Sequence, residues 1–185
     1  MKTLAGQLLI SSPLLKDSNF DGSLVLIIRH DEEGAFGLIV NRPAALTVAE
    51  VWKQLSHSPC STPCQLYIGG PCPGPLMALH NHGLLSEFEV LPELYFSADP
   101  AAISQLVVAD DKETLFFAGY AGWSEGQLEQ EIEAGAWYAQ SVTASQLQSD
   151  SPLEWDDCLK QARRQQSFLI DVLNIREIPS DPSNN

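Results

Sequence analysis

The segments of this chain that favour β-strands come in clusters, and this order constrains the fold more than any other feature of the sequence. Residues 20–29 carry an apolar centre at 24–28, composed of leucine, valine and isoleucine, which is typical of a strand. The polar turn at 31–34 and the apolar return at 36–40 predict a hairpin over residues 20–41. Strands this apolar are covered on both faces or curled around a core.

Helical patterns separate the strand clusters instead of alternating with single strands. Thr47 begins one helix, with Glu50 in the capping-box position three residues later, and Asp99 with Pro100 begins another. Further strands are expected at residues 6–11, 66–68, 77–80, 88–97, 114–119 and 137–142, and further helices from residues 124 and 151. Residues 168–175 fit either a helix or a strand. This order favours an α+β fold with a mixed, strongly curved sheet flanked by helices over a doubly wound sheet.

The length of 185 residues fits a single domain, which we predict over residues 1–178, with a disordered tail at 179–185. A domain of this size buries enough surface to fold without disulfides or a structural metal. The longest apolar run is far shorter than a membrane span, and the N-terminal segment lacks the apolar length and cleavage pattern of a signal peptide. We therefore expect a cytoplasmic protein that does not bind membranes.

The charge balance argues against nucleic acid as a direct partner. Ten lysines and arginines stand against 24 aspartates and glutamates, which gives a net charge of −14. Affinity for nucleic acid comes largely from clustered cations on phosphates, whereas here the adjacent pair Arg163 and Arg164 lies close to Asp156 and Asp157. An acid excess of this kind ordinarily serves solubility.

The cysteines raise the alternatives of disulfides and a metal site. Cys60-x3-Cys64, Cys72 and His80-x-His82 offer soft ligands, but their spacing matches no tight zinc motif and prolines surround the thiols. A cytoplasmic compartment disfavours structural disulfides. We expect reduced thiols in a loop, with neither a metal nor another cofactor.

The segment Gly122-Trp123-Ser124-Glu125-Gly126 fits the G-x-S-x-G pattern of serine hydrolases. A serine nucleophile needs a base, and no histidine follows Ser124 as the triad order of an α/β-hydrolase requires. The simpler interpretation is that Ser124 caps the next helix, with Gln127 three residues later. That helix is rich in glutamate, which would repel a multiply charged phosphate from its N-terminus.

His30 and the pair Asn41-Arg42 place polar side chains at the ends of apolar strands. In the predicted hairpin His30 lies at the turn end and Asn41 at the opposite end, so they do not form one site. We expect His30 to be satisfied by backbone groups and Asn41-Arg42 to stabilise a turn. Glu129 and Glu131 are two residues apart on a helix, so their side chains diverge and do not form an acid/base pair.

Five motifs follow one another along the chain: GQLLISSP at 6–13, GLIVNRP at 37–43, GGP at 69–71, GYAGW at 119–123 and GQLE at 126–129, followed by Glu131 and Trp137. This ordered set resembles the AlgH/YqgE family of small bacterial proteins over about residues 4–160. The resemblance implies an α+β fold whose sheet curls into a partial barrel. It also implies a regulatory role, since the family is named for regulation of alginate synthesis and is described as a transcriptional regulator. Cys72 stands where the family motif carries a small apolar residue, which argues against a role for this thiol.

Function is predicted from the motif residues that lie on turns, where binding sites are often found. The predicted function is a non-catalytic regulatory or binding module that acts through a protein or a small ligand, and not by direct contact with DNA. The alternative is a small-substrate hydrolase that uses Ser124, or His30 as a general base. The sequence leaves the identity of the partner or ligand and the oligomeric state open. The candidate binding residues are Asn41, Arg42, Gly69, Gly70, Trp123 and Gln127.

Overall fold

The computed structural model describes residues 3–55, 60, 64–109, 111–149 and 151–176. Within these ranges the chain forms ten strands and five α-helices. The strands are β1 (Gln7–Ser11), β2 (Leu24–Asp31), β3 (Gly34–Ile39), β4 (Pro43–Thr47), β5 (Gln65–Ile68), β6 (Cys72–His80), β7 (Phe88–Leu91), β8 (Leu94–Ser97), β9 (Leu115–Ser124) and β10 (Trp137–Ser141). The helices are α1 (Val48–Leu55), α2 (Pro100–Ala109), α3 (Gln127–Glu133), α4 (Ala144–Leu147) and α5 (Trp155–Arg176).

Eight of the strands form one continuous path in the order β10-β1-β2-β3-β9-β6-β8-β7. Every neighbouring pair along this path is antiparallel. The predicted mixed sheet is therefore wrong for this path, because hairpins and returning connections join its strands and no crossover helix is needed between neighbours. β4 and β5 form a branch beside the path, where β5 runs parallel to β9 for three residue pairs.

The sheet curls into a half-barrel, as the α+β prediction with a strongly curved sheet requires. Gly6, at the start of β1, approaches the end strand β7 so closely that a Cβ atom on it would lie 2.9 Å from the carbonyl oxygen of Val90. β1 and β7 are six steps apart along the strand path, so a flat sheet could not bring them together. Gly6 has a φ of +76°, and both this backbone conformation and the close approach favour glycine.

Side chains alternate between the two faces of the strands and divide the core into three clusters. The inner face of the curl is closed by Leu147 of α4 and Leu159 of α5. On the outer face, Leu128 of α3 covers one part of the sheet, while α1 and α2 cover another. The inner cluster includes Leu8, Leu26, Leu38, Met77, Phe96 and Phe117, and the outer clusters include Leu9, Val25, Ile39, Ala78, Leu106 and Phe116.

Several local predictions are confirmed. β2 and β3 form the expected hairpin, with His30 paired to Ala35 beside the turn. At the start of α1, Glu50 accepts from the Thr47 amide N–H and the Thr47 hydroxyl oxygen accepts from the Glu50 amide, which is the predicted capping box. The Asp99 carboxylate accepts hydrogen bonds from the first amides of α2.

Other boundaries differ from the sequence prediction. Ser124 does not cap α3, because β9 continues to Ser124, which pairs with Gly34 of β3. The N-cap of α3 is Gly126, whose φ of +68° turns the chain out of the strand. α4 was not predicted, and α5 begins at Trp155, four residues later than expected.

The C-terminal predictions are settled only in part. Residues 168–175, for which a helix or a strand was possible, have the backbone of α5. The predicted tail at 179–185 lies outside the described residues, and the single-domain boundaries at 1–178 stay a prediction. In the part of the chain that is described, no helix is long and apolar enough to cross a membrane.

Candidate functional site

Asn41 and Arg42 hold the segment before β2 in place. The Asn41 side chain accepts from the Leu24 amide at 2.9 Å and donates to the Gly22 carbonyl at 2.9 Å. The Arg42 guanidinium donates to the Asn19 carbonyl at 2.7 Å and to the Ser23 hydroxyl at 2.9 Å. These bonds occupy both sides of the Asn41 amide, so it is committed to the fold.

Gly69 and Gly70 let β5 pass close to the glycine-containing part of β9. A Cβ on Gly69 would lie 2.3 Å from the Gly119 carbonyl oxygen, and one on Gly70 would lie 2.1 Å from the carbonyl carbon of Tyr120. The Gly69 carbonyl accepts from the Ile39 amide at 2.8 Å, which ties the same turn to β3. Both glycines are therefore required by backbone packing.

Trp123 and Gln127 belong to a network centred on Glu131. The indole N–H groups of Trp123 and Trp137 both donate to Oε2 of Glu131, at 2.9 Å and 2.8 Å. The Gln127 side-chain amide donates to Oε1 at 2.9 Å, and its own oxygen accepts from the Ser124 amide at 3.1 Å. One carboxylate thus satisfies two largely buried indoles and joins α3 to β9 and β10.

His30 is buried and fully engaged in hydrogen bonds. Its Nδ1 accepts from the Leu4 amide at 3.1 Å, so the ring proton lies on Nε2, which donates to Glu129 at 2.9 Å. Neither ring nitrogen is left to take a proton from a substrate. The expectation that backbone groups satisfy His30 is confirmed at Nδ1, whereas the contact at Nε2 is to a side chain.

Ser124 has no histidine as a hydrogen-bond partner in the described residues. It is exposed at the end of β9, and none of the three described histidines forms a hydrogen bond with its hydroxyl. His57 lies outside the described residues. Glu129 and Glu131 have different partners, as predicted, and do not form an acid/base pair.

The six candidate binding residues therefore fall into two groups. Asn41, Arg42, Gly69 and Gly70 lie together, since the Ile68 amide donates to the Arg42 carbonyl at 2.9 Å. Trp123 and Gln127 form the second group, since both donate to the Glu131 carboxylate. Phe20 connects the groups, because its ring stacks on Trp123 at a centroid distance of 6.0 Å while Arg42 binds the neighbouring Asn19. Apart from the exposed Gln127, little of these side chains is left for a ligand.

The first group positions the wall of a cleft that sequence reasoning missed. The cleft has a volume of about 460 Å³ and lies between β5, the start of β9 and the segment that joins α4 to α5. Val40 directly precedes Asn41, and Tyr67 lies two residues before Gly69, so these turns fix part of the wall. The lining residues are Val40, Cys64, Gln65, Tyr67, Lys112, Thr114, Leu115, Leu147, Gln148, Ser149, Pro152 and Leu153.

Two polar side chains distinguish this cleft. Thr114 is 2% exposed, and its hydroxyl oxygen has no hydrogen-bond partner among the described residues. Lys112 is the one ionised side chain in the described lining and forms no ion pair within the described ranges. Thr114 appeared in the sequence as the start of a strand, and nothing in its local pattern indicates that its hydroxyl is left unpaired.

The acids on either side of Lys112 contact residues of a second cleft, whose lining includes Glu113. The Asp111 carboxylate contacts Nε2 of His82 at 2.9 Å, and the Glu113 carboxylate accepts from the Asn81 amide at 2.7 Å. This cleft, of about 760 Å³, is lined by Asn81, His82, Glu93, Tyr95, Glu113, Ala144, Ser145 and Gln148.

His80 lies two residues before His82 of the second cleft and is fully buried. Its Nδ1 accepts from the His82 amide at 3.2 Å, and its Nε2 donates to the Ser97 hydroxyl at 2.9 Å. Burial lowers the pKa of His80 to about 4, with a further lowering by His82 that Asp111 partly opposes. His80 is therefore a neutral structural residue at pH 7.

The described residues contain no group of three or more histidines, cysteines, aspartates and glutamates placed to hold a metal ion. Cys60, Cys64 and Cys72 are partly exposed and Cys158 is buried. His82 is engaged with Asp111 and His80 with Ser97, so neither histidine joins a thiol site.

A half-barrel of antiparallel strands, with a helix-covered core on each face and a cleft at the foot of β9, defines a class of small α+β proteins. The chain belongs to the AlgH-like family, whose sequence profile matches residues 8–167. The resemblance drawn from the motifs is thereby confirmed.

Relatives and solved structures agree with this assignment. The chain is 37% identical over 165 residues to a UPF0301 protein of Myxococcus xanthus, covering 86% of this chain and 91% of the relative. It is 34% identical to a UPF0301 protein of Streptomyces avermitilis, covering 100% and 97% of the two chains. The solution structure of AlgH from Pseudomonas aeruginosa superposes with a TM-score of 0.72 at 32% identity and covers 88% of this chain and 92% of that chain. A crystal structure from Corynebacterium diphtheriae gives 0.67 at 27% identity, covering 87% and 88%.

Proposed function

We propose that this protein is a non-catalytic binding module that receives a small ligand in the cleft lined by Lys112 and Thr114. The observation that carries the proposal is that Thr114, whose hydroxyl is buried and unpartnered, lies in the lining of a 460 Å³ cleft. A buried hydroxyl without a partner costs about 1–3 kcal/mol, and a ligand that bonds to it would recover part of that cost. A cleft of this volume lies in the range of small-molecule sites.

Under this proposal the residues of the sequence motifs stabilise the fold and do not contact the ligand. The motif side chains bond to one another and to backbone groups, as Asn41 does with Leu24 and Trp123 with Glu131. They hold the strands that form the cleft wall in position. Any regulatory role, including control of transcription, would then act through the bound ligand or a protein partner in the cytoplasm.

Direct binding of DNA is not part of the proposal. The net charge is −14. Two of the cations are already engaged, Arg29 with Asp31 and Lys160 with Asp157. Phosphate binding needs clustered, available cations.

A fragment screen followed by amide NMR tests the proposal. We expect neutral and charged fragments to shift the amides of Tyr67, Lys112, Thr114 and Leu153 together. A Leu153→Trp variant, in which the larger side chain reduces the cleft volume, should lose these shifts. The matched control is Leu14→Trp on an exposed leucine, which should keep them. Shifts that persist in Leu153→Trp, or a screen without a hit in this cleft, would overturn the proposal.

A further inference from the structure

The lining of the Lys112–Thr114 cleft combines a single cationic side chain with several apolar ones. Lys112 and Thr114 are two residues apart and face the same cleft. Half of the lining residues are apolar or aromatic: Val40, Tyr67, Leu115, Leu147, Pro152 and Leu153. A ligand that fills such a space has a polar head and an apolar body.

The charge of the described cleft lining is positive although the protein is strongly acidic. Within the described lining there is no aspartate or glutamate, whereas the whole chain has 24 of them. The acids next to Lys112 in sequence do not form an ion pair with it. Asp111 is bound to His82 and Glu113 to Asn81, both in the lining of the second cleft. The ammonium group of Lys112 is therefore available to an anion from outside the described chain.

Thr114 supplies a hydroxyl donor in the lining of the same cleft. Its backbone amide donates to the Asp111 carbonyl at 3.2 Å, while its hydroxyl has no partner. A hydroxyl can donate to a carboxylate oxygen, and charge-assisted hydrogen bonds of this kind are stronger than neutral ones. Lys112 is exposed, so a carboxylate head would gain a charge-assisted contact with its ammonium that a neutral head lacks, and a cationic head would be repelled.

We propose that the ligand of this cleft is a small organic acid with an apolar body, bound through its carboxylate to Lys112 and Thr114. This inference rests on the proposed binding function and names its ligand class. The carboxylate contacts the exposed Lys112 ammonium, and a rotation of the buried Thr114 side chain toward the cleft lets its hydroxyl donate to the same carboxylate. The apolar body lies against Tyr67, Leu147 and Leu153.

Three probes with one body and different heads test the ligand class. 4-Phenylbutyrate, 4-phenylbutan-1-ol and 4-phenylbutylamine are titrated separately into the full chain, and Kd is measured by amide NMR shifts and calorimetry. We expect the acid to bind about tenfold more tightly than the alcohol, since one charge-assisted contact distinguishes them. The amine should bind more weakly than both.

Substitutions of Lys112 and Thr114 test whether these two side chains cause the preference for the acid over the alcohol. Lys112→Gln should bring the Kd of the acid to that of the alcohol, while Lys16→Gln, an exposed lysine outside the cleft lining, leaves it unchanged. Thr114→Val should weaken the acid about fivefold through loss of one hydrogen bond. Amide spectra that match the parent chain outside the cleft show that each variant is folded.

The outcomes distinguish failure of the proposed ligand class from failure of the proposed binding function. Equal binding of acid and alcohol, a preference for the amine, or an acid preference that survives Lys112→Gln overturns the ligand class but leaves binding in the cleft. Absence of binding by all three probes also overturns the ligand class, and the fragment screen then decides whether the cleft binds anything. If that screen finds no hit in the cleft, both proposals fail.

Discussion

The imidazole of His30 and the carboxylate of Glu129 lie 2.9 Å apart although they are 99 residues apart in sequence. Because Nδ1 of His30 accepts from the Leu4 amide, the ring donates to Glu129 through Nε2. The contact fastens α3 to the end of β2 at the edge of the hairpin. It also explains why a histidine at a strand end, a natural candidate for a general base, has a structural role here.

Removal of the Glu129 carboxylate should destabilise the fold. In Glu129→Ala the nearly buried Nε2–H of His30 loses its acceptor, so we expect the free energy of unfolding to fall by about 1–3 kcal/mol. Urea unfolding at pH 7.5 measures the change. Glu32→Ala, in the exposed turn of the same hairpin, is the control and should be nearly neutral. Equal effects of the two substitutions would contradict the structural role of the pair.

Loss of the Glu131 carboxylate should lower the free energy of unfolding more than loss of the Glu129 carboxylate, because two indoles share Glu131. In Glu131→Ala the N–H groups of Trp123 and Trp137 lose their common acceptor, and we expect a loss of about 2–4 kcal/mol in unfolding free energy. Intrinsic tryptophan fluorescence should change in the folded state as well. Glu133→Ala, exposed on the same helix, serves as the matched variant and should leave both stability and fluorescence close to the parent values.

Burial of His80 predicts that the protein loses stability below neutral pH. The unfolded chain takes up a proton with a pKa near 6.5, whereas the folded chain resists protonation until about pH 4, so the stabilisation is complete above 6.5 and declines as the pH falls toward 4. Between pH 7.5 and 5.0 this residue alone should reduce the unfolding free energy by about 2 kcal/mol.

A variant without the titrating ring isolates this contribution. His80→Asn is less stable at every pH because buried hydrogen bonds to Ser97 and His82 change, but its stability should depend less on pH by about 2 kcal/mol over the same interval. Parallel pH profiles for the parent chain and His80→Asn would show that His80 is not the group responsible.

Substitution of Gly69 tests whether the glycine motif is required for packing. Gly69→Ala would place a methyl group 2.3 Å from the Gly119 carbonyl oxygen, which forces backbone movement and should cost about 3 kcal/mol or more. Gly135→Ala is the comparison, because a Cβ there meets nothing within 4 Å and the strain of its φ of +74° costs only about 1 kcal/mol. Thermal unfolding of both variants checks the order. A milder effect at Gly69 than at Gly135 would be inconsistent with the close approach.

Ser124 should not react as an activated nucleophile. Its hydroxyl forms no hydrogen bond to a described histidine, and an unassisted serine is a weak nucleophile. A fluorophosphonate probe should therefore leave the protein unlabelled, as intact-mass spectrometry would show. Stoichiometric labelling that disappears in Ser124→Ala would revive the hydrolase alternative.

The sequence by itself determined the features that depend on neighbours a few residues apart. The capping box of Thr47 and Glu50, the Asp99 cap and the β2–β3 hairpin are set by short-range side-chain and turn preferences, and all three were predictable. The ordered motifs identified the family, and the structure gives their glycines and tryptophans packing roles: Gly69 and Gly119 approach each other closely, and Trp123 and Trp137 share Glu131.

Tertiary structure decided what depends on residues far apart in the chain. The local pattern of Ser124 and Gln127 is typical of a helix cap, but pairing with Gly34 across the sheet holds Ser124 in β9. The strand path is antiparallel because distant strands return beside one another. The cleft combines Val40, Tyr67, Thr114 and Leu153, which are far apart in the sequence, so helix or strand periodicity does not predict that they meet. Whether the Thr114 hydroxyl finds a partner depends on which side chains the folded chain places around it, and that is fixed only when the three cores pack.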